Sequence, residues 1–254
     1  MTHDTVAADA TDALLLEEFE DRVVATINRP RQRNAIDTAV VEALHALCEQ
    51  LERHPRVLIL TGTNGVFASG ADIREMRERT PAEARAGINA HAFIRIRELD
   101  LPVIAAVDGY ALGGGAELAY AADIRIGTPR ARFGNPETGL GIIASAGAAW
   151  RLPEIVGEGR ATELLLTGRV IEADEALAIG LLSSVHAPDA LLPAAHVLAD
   201  RLGKNDRAAV IAMKKAIAAP RTQHPAIDLE LQGVLFESPE RQRRMDAFLE
   251  GRRD

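Results

Sequence analysis

The segment that most restricts the fold of this chain is residues 103–122, VIAAVDGYALGGGAELAYAA. It begins with a short apolar run, 103–107, that is rich in β-branched residues. Such a run predicts a strand buried on both faces, as in a parallel sheet. Three glycines at 113–115 then lead into a helical pattern that contains Glu117. The segment therefore predicts a strand, a glycine turn and a helix in immediate succession.

A strand that passes through glycines into a helix directs free backbone N–H groups and the positive helix end at the space above the turn. Such a turn can hold a phosphate, or stabilise a carbonyl oxygen as it becomes an oxyanion. Glu117 would lie beside it, in the first helical turn. Local sequence leaves a second interpretation open, in which the glycines serve close packing and the acid only complements the dipole. The spacing matches neither a Rossmann fingerprint nor a Walker loop.

A second carboxylate of interest is Glu137, in the small-residue segment 133–140, FGNPETGL. Burial there would raise the pKa of Glu137 and suit it to proton donation. Local sequence nevertheless favours an exposed loop acid, and spacing alone does not place it opposite Glu117. A further small-residue turn at 67–73, FASGADI, predicts a second backbone donor near the first.

Composition excludes several classes of protein. The chain has 254 residues, 47% of them hydrophobic, which suffices for a full core. A net charge of −8 disfavours nucleic acid and anionic membranes as main partners. The seven histidines have no metal-ligand spacing, so no metal site is expected.

Compartment is inferred from the single cysteine and the N-terminus. Cys48 falls on the apolar stripe of a predicted helix and reads as a core residue in a reducing compartment. Residues 1–12 read as a frayed tail without a signal peptide, and no apolar run has the length of a membrane span. We therefore expect a cytoplasmic protein.

Strands alternate with helices up to about residue 191, and helices alone follow. The pattern predicts a hairpin over 14–27, a helix from Asp37 to about Arg53, a helix from Pro81 to about Leu99, a short buried helix near Ser145 and a strand over 181–185. We divide the chain into a core at 1–191 and a C-terminal helical lobe at 192–254.

Nearly the whole chain resembles the enoyl-CoA hydratase/isomerase (crotonase) family. The matching segments stand in family order: NRPRQRNAID, FASGADIREM, PVIAAVDGYALGGGAELAYAADIRI, ARFGNPETGLGIIASAGAAWRL, LTGRVIEADEALAIGLLSSV and LFESPERQRRMDAFLEGR. The resemblance implies an α/β fold, a crotonase-like spiral of ββα units with a C-terminal helical trimerisation region. It also implies self-association as a trimer or a dimer of trimers.

The family motifs imply roles for particular residues. Glu117 and Glu137 fall on the two hydratase glutamates, and the N–H groups of Ala71 and Gly114 on the oxyanion hole for an acyl-CoA thioester enolate. Further substrate-binding positions implied by the resemblance are Asp72, Ile73, Arg29, Ala35 and Trp150.

The function implied is enoyl-CoA hydratase, a hydro-lyase that adds water syn to a trans-2-enoyl-CoA. Coenzyme A is then part of the substrate, and no separate cofactor is expected. Two alternatives stay open: isomerisation of an enoyl-CoA, in which Glu137 shuttles a proton without water, and a catalytically idle binding or scaffold subunit.

Two departures from the family pattern concern substrate contacts. Relatives commonly have a Pro-Gly-Ala-Gly-Gly-Thr-Gln run that lines the part of the site where the acyl group binds. In this chain the corresponding residues, 144–150, are ASAGAAW. A lysine common near the C-terminus corresponds to Gln242, and Arg241 and Arg243 flank it as candidates for CoA phosphate contact. The loop arginines Arg29, Arg31 and Arg33 are candidates for the same contact.

Overall fold

The computed structural model of the chain describes residues 13–251, so the frayed tail predicted at 1–12 lies outside the described residues. The described strands are β1 Leu14–Glu18, β2 Arg22–Ile27, β3 Val57–Gly62, β4 Val103–Val107, β5 Tyr110–Leu112, β6 Ile124–Gly127, β7 Arg132–Gly134, β8 Ile171–Glu172 and β9 Ser184–Val185. The described helices are α1 Thr38–Arg53, α2 Ile73–Glu78, α3 Pro81–Ala86, α4 Ile88–Arg97, α5 Gly114–Ala121, α6 Ala148–Val156, α7 Glu158–Thr167, α8 Ala173–Ala178, α9 Leu191–Lys204, α10 Arg207–Ala218, α11 Ala226–Phe236 and α12 Pro239–Leu249.

A six-stranded sheet of order β1-β2-β3-β4-β6-β9 carries the fold. The predicted hairpin joins β1 and β2 antiparallel, and every other pairing in this sheet is parallel. All five residues of β4 are buried, because the strand is covered on both faces. Parallel strands end at one edge of a sheet, so the turns after β3 and β4 lie side by side.

A three-stranded sheet of order β5-β7-β8 stands beside that edge. Its first strand, β5, follows β4 after only two residues and pairs parallel with β7. Sequence patterns did not predict β5. Its residue Ala111 forms an isolated bridge with Ala68, which holds the turn after β3 against the turn after β4.

Three predicted elements differ from the structure. The helix expected from Pro81 to Leu99 is two helices, α3 and α4, because Gly87 adopts a left-handed conformation with φ of +60° between them. The helix expected near Ser145 begins at Ala148. The strand expected over 181–185 pairs only at its last two residues.

Both faces of the large sheet are packed. On one face, α1 contributes its apolar stripe, including the free and buried Cys48, as predicted. Asp37 caps α1 by accepting a hydrogen bond from Val40 N at 3.0 Å. On the other face, Ala195 and Ala199 of α9 pack on strand residues such as Ile104. The division of the chain at residue 191 stays a prediction.

Candidate active site

A cavity of about 120 Å³ lies above the ends of β3 and β4. Its lining includes both glutamates singled out from the sequence and both backbone donors implied by the resemblance. The lining residues that matter chemically are Gly70, Ala71, Asn89, Gly114, Glu117 and Glu137. The two small-residue turns, 67–73 and 113–117, are distant in the chain, and the fold brings them together because strands β3 and β4 are neighbours in the sheet.

The glycine turn after β5 is held by a close approach of backbones. Gly113 has φ of +50°, and its N–H donates to Gly134 O at 2.8 Å. A side chain at Gly115 would collide with the carbonyl of Ala68. Helix α5 begins here, and its first internal bond runs from Glu117 N to Gly113 O at 3.0 Å. The N–H of Gly114 therefore has no acceptor within the helix, as is general for a first helical turn.

The second donor comes from the turn after β3. Ile36 forms a parallel bridge with Ala71, in which Ile36 N donates to Gly70 O and Asp72 N donates to Ile36 O. This pattern directs the N–H of Ala71 away from Ile36. The nitrogen of Ala71 lies 3.4 Å from the position that a Cβ on Gly114 would occupy. Two backbone donors from two different turns thus meet at one side of the cavity.

Glu117 is a buried carboxylate, with 4% of its surface exposed. Its Oε1 accepts hydrogen bonds from Ala146 N at 2.7 Å and Ala148 N at 3.1 Å. The pKa of Glu117 is raised to about 7, mainly by burial and in part by the charge of Glu137, while the backbone donors oppose the rise. A carboxyl with this pKa exchanges protons readily near neutral pH.

The expectation of an exposed loop acid at Glu137 is wrong, because only 9% of this residue is exposed. It lies in a single turn of 3₁₀ helix, Pro136–Leu140, that packs against the glycine turn. Burial raises the pKa of Glu137, whereas a hydrogen bond from the Asn135 side chain lowers it. Its Oε2 is buried without a hydrogen-bond partner among the described residues.

Asn135 supports the position of the Glu137 carboxylate. The amide accepts a hydrogen bond from Tyr120 Oη at 3.0 Å and donates to Gly113 O at 3.4 Å. Tyr120 lies in α5, one turn after Glu117, so one helix supports both carboxylates. The sequence reasoning missed Asn135, since an asparagine before proline reads as ordinary turn chemistry.

Of the five implied substrate-binding residues, only Ile73 lines the cavity, and its side chain is largely exposed. Arg29 instead holds neighbouring loops: it donates to Ala35 O at 2.6 Å and pairs with Asp37 at 2.7 Å and Asp72 at 3.5 Å. Its guanidinium is thus occupied by protein groups, and Asp72 also caps α2.

The remaining candidates lie outside the cavity lining. Trp150 stacks under the guanidinium of Arg97 at 5.5 Å and borders a separate cleft beside α4 and α10. Arg241 and Arg243 lie on α12, where Arg243 pairs with Glu240 at 2.7 Å. The structure does not bring these three residues to the carboxylate pair.

Residues 13–251 contain neither a cluster of metal ligands nor a membrane-spanning helix. No cluster of three or more His, Cys, Asp or Glu side chains is placed to hold a metal ion in that part of the chain. None of the helices described there combines the length and apolar character that a bilayer crossing requires.

An α/β cavity that combines two buried carboxylates with two backbone N–H groups is suited to acid–base chemistry. Residues 19–254 match the enoyl-CoA hydratase/isomerase family. A short-chain-enoyl-CoA hydratase of Clostridium acetobutylicum is 39% identical over 249 residues, covering 94% of this chain and 95% of the relative. A crotonyl-CoA hydratase of Syntrophomonas wolfei is 38% identical over 254 residues, covering 96% of this chain and 97% of the relative.

Solved structures agree with these matches. The crystal structure of an enoyl-CoA hydratase from Bacillus anthracis superimposes with a TM-score of 0.89 at 33% identity, covering 94% of this chain and 97% of that one. The chain belongs to the enoyl-CoA hydratase/isomerase family. The expected fold class, a crotonase-like α/β fold with a C-terminal helical region, is confirmed.

Proposed function

We propose that this protein is an enoyl-CoA hydratase, which adds water reversibly to a trans-2-enoyl-CoA and gives a 3-hydroxyacyl-CoA. The observation that carries the proposal is the pair of buried carboxylates, Glu117 and Glu137, in one cavity with the N–H groups of Ala71 and Gly114. Hydration needs a base for the water, an acid for the α-carbon and donors for the thioester oxygen. The cavity contains one carboxyl group for each proton transfer and two N–H groups for the thioester oxygen.

In the proposed mechanism a water molecule lies between the two carboxyl groups. Glu117 takes a proton from the water molecule while the oxygen of that water forms a bond to the β-carbon. The electrons of the double bond move onto the thioester oxygen, and the enolate forms against the N–H groups of Ala71 and Gly114. Glu137 then gives its proton to the α-carbon on the same face, and the carbonyl reforms. A proton transfer from Glu117 to Glu137 restores the site.

The expected size of each contribution follows from general enzymology. An oxyanion donor contributes roughly 3–4 kcal/mol in the transition state. Each positioned acid or base contributes about 10²–10⁴ in rate. The pKa of Glu117, about 7, lets this carboxyl group take up and release a proton near neutral pH. Burial shifts the pKa of Glu137 in the direction that favours its protonated form.

Coenzyme A enters this mechanism as part of the substrate, and no step is assigned to another cofactor. We propose that the acyl group is short. The two relatives from Clostridium acetobutylicum and Syntrophomonas wolfei, which this chain matches over nearly its whole length, are named for short-chain and crotonyl substrates.

We also propose self-association as a trimer or a dimer of trimers. The C-terminal helices α11 and α12 present large apolar side chains to solvent, including Leu229, Val234, Phe248 and Leu249. Large apolar side chains exposed in this number are expected to be covered in an assembly. Light scattering of the purified protein measures the mass, and a monomer at micromolar concentration would contradict the proposal. The reducing compartment that we infer is the cytoplasm.

The functional test is the loss of crotonyl-CoA absorbance on addition of the protein, with Glu117→Gln and Glu137→Gln assayed beside it. We expect turnover by the wild type and a rate at least about 100-fold lower in each variant. Product analysis separates the alternatives, since 3-hydroxyacyl-CoA means hydration and a moved double bond means isomerisation. A silent wild type, with longer and branched enoyl-CoAs also unreactive, would favour a binding or scaffold role.

A further inference from the structure

Asn89 is a buried polar residue in the wall of the same cavity. It is the second residue of α4, which starts immediately after the left-handed Gly87, and 8% of its surface is exposed. Its Oδ1 is buried without a hydrogen-bond partner among the described residues. The amide is therefore held in the wall without the polar partners that a structural asparagine normally has.

An arrangement of this kind has a cost that needs an explanation. Leaving a buried polar atom unpaired costs about 1–3 kcal/mol, and most buried polar groups in proteins are paired. An apolar side chain of the same size would avoid that cost in a wall that also contains Ile88 and Ala90. Retention of an amide here despite the unpaired Oδ1 is explained if the other end of the amide, Nδ2, is used by a ligand in the cavity.

The position of the Asn89 amide nitrogen, Nδ2, indicates which part of a ligand it would contact. Asn89 Nδ2 lies 3.6 Å from the position that a Cβ on Gly114 would occupy, and Ala71 N lies 3.4 Å from the same position. The nitrogen of Gly114 is one bond from its own Cα. Three nitrogens that carry hydrogen, two from the backbone and one from a side chain, thus surround one small volume of the cavity.

We propose that Asn89 is a third hydrogen-bond donor to the thioester oxygen, through Nδ2, beside Ala71 and Gly114. This inference rests on the proposed function, since it assigns a further catalytic residue to the same oxyanion site. A fixed amide dipole in a site that excludes water stabilises the enolate more than the neutral carbonyl, so Asn89 acts mainly on kcat.

The test measures polarisation of the bound carbonyl as well as rate. Crotonyl-CoA labelled with ¹³C at the carbonyl is bound to Glu117→Gln, which holds the substrate with little turnover, and the carbonyl stretch is recorded by isotope-edited infrared spectroscopy. The same spectrum is recorded with Asn89→Leu or Asn89→Asp added. Leucine has a similar size and no donor, and aspartate keeps the shape if leucine prevents folding. His91→Gln, on the exposed face of α4, is the matched control.

We expect the carbonyl frequency to fall on binding to Glu117→Gln, and to fall less when Asn89 is replaced but equally with His91→Gln. In the otherwise wild-type enzyme, Asn89→Leu should lower kcat by roughly 100-fold and change KM little. An unchanged frequency shift in both Asn89 variants, or a loss confined to KM, would overturn the role of Asn89 alone. The absence of any shift in Glu117→Gln would overturn the oxyanion site itself, and Asn89 with it.

Discussion

The carboxylate of Glu137 rests against the backbone of Gly113: its Oε1 lies 2.9 Å from the position that a Cβ on Gly113 would occupy. The same glycine bonds through its carbonyl to Asn135 and through its N–H to Gly134. One residue of the turn therefore decides both where α5 begins and how far the second carboxyl group can enter the cavity.

Replacement of Gly113 by alanine should displace Glu137 and strain the turn. The φ of +50° costs about 1–3 kcal/mol for a residue with a side chain. We expect a lower free energy of unfolding by that amount and a hydration rate reduced by at least about 100-fold, because the acid leaves its position. Gly139→Ala is the matched control, since nothing lies within 4 Å of the added methyl group. Equal activity of the two variants in a crotonyl-CoA assay would contradict the prediction.

The stability of the protein should depend on pH through Glu117. Its pKa in the folded protein is about 7, above the value of about 4.3 for an unperturbed glutamate. The stability that this group contributes is therefore fully present below pH 4.3 and is lost as pH rises through about 7. At pH 8, Glu117→Gln should be more stable than the wild type by roughly 3 kcal/mol, because the variant buries no charge.

Urea unfolding at several pH values measures this difference. The advantage of Glu117→Gln should shrink steadily between pH 8 and pH 4.5. The matched control is the same substitution at an exposed residue of α1, Glu42→Gln, measured at the same pH values. A constant difference across this range would mean that the carboxyl group of Glu117 does not change its charge there.

The two carboxyl groups should titrate as a coupled pair. Because the charge of Glu137 contributes to the raised pKa of Glu117, Glu137→Gln should lower that pKa from about 7. Burial remains the larger cause, so the pKa should stay above the ordinary value. Carboxyl ¹³C NMR titration of the wild type and the variant measures the change. A pKa of Glu117 that stays at about 7 in Glu137→Gln would show that the two groups do not interact.

Tyr120 and Asn135 should be energetically coupled. Asn135→Leu leaves the buried hydroxyl of Tyr120 without its acceptor, which should cost about 1–3 kcal/mol in the free energy of unfolding. Adding Tyr120→Phe should recover part of that loss, because both polar partners are then gone. A double-mutant cycle with urea unfolding gives the coupling energy. Strict additivity of the two changes would contradict the hydrogen bond.

In the loop after β2, we expect Arg29 to have a structural role and Arg31 and Arg33 to contribute to binding of the CoA thioester. Arg29 is tied to Asp37 and Asp72, so Arg29→Ala should mainly lower stability. Arg31 and Arg33 are exposed, and replacing both by alanine should raise KM for a CoA thioester at low ionic strength with little effect on kcat. Steady-state kinetics at two salt concentrations measure this. An unchanged KM in the double variant would remove this loop from the list of CoA phosphate contacts.

Much of the fold could be predicted because its elements have strong local signals. The buried strand β4 follows from an apolar run, and α1 follows from its cap at Asp37 and its apolar stripe. The break at Gly87 and the three-residue strand β5 could not be predicted. A single glycine is tolerated inside many helices, and β5 is defined only by its pairing with β7, far along the chain.

The site was harder to predict than the fold, because its chemistry depends on burial. Glu137 reads locally as a loop acid, and only the packing of its 3₁₀ turn against Gly113 encloses it. Asn89 gave no signal, since a polar residue in a first helical turn is usually solvated. Family resemblance, rather than local sequence, indicated the roles of Glu117 and Glu137.

The carboxylate of Glu117 is held by main-chain donors of Ala146 and Ala148, not by side chains. Hydrogen bonds from main-chain N–H groups do not depend on which side chains the segment 144–150 carries, provided that its backbone conformation is kept. Ser145 and Ala146 of this segment also line the cavity. Their side chains can therefore change, and with them the shape of the cavity, while the main chain keeps the Glu117 carboxylate in the same position.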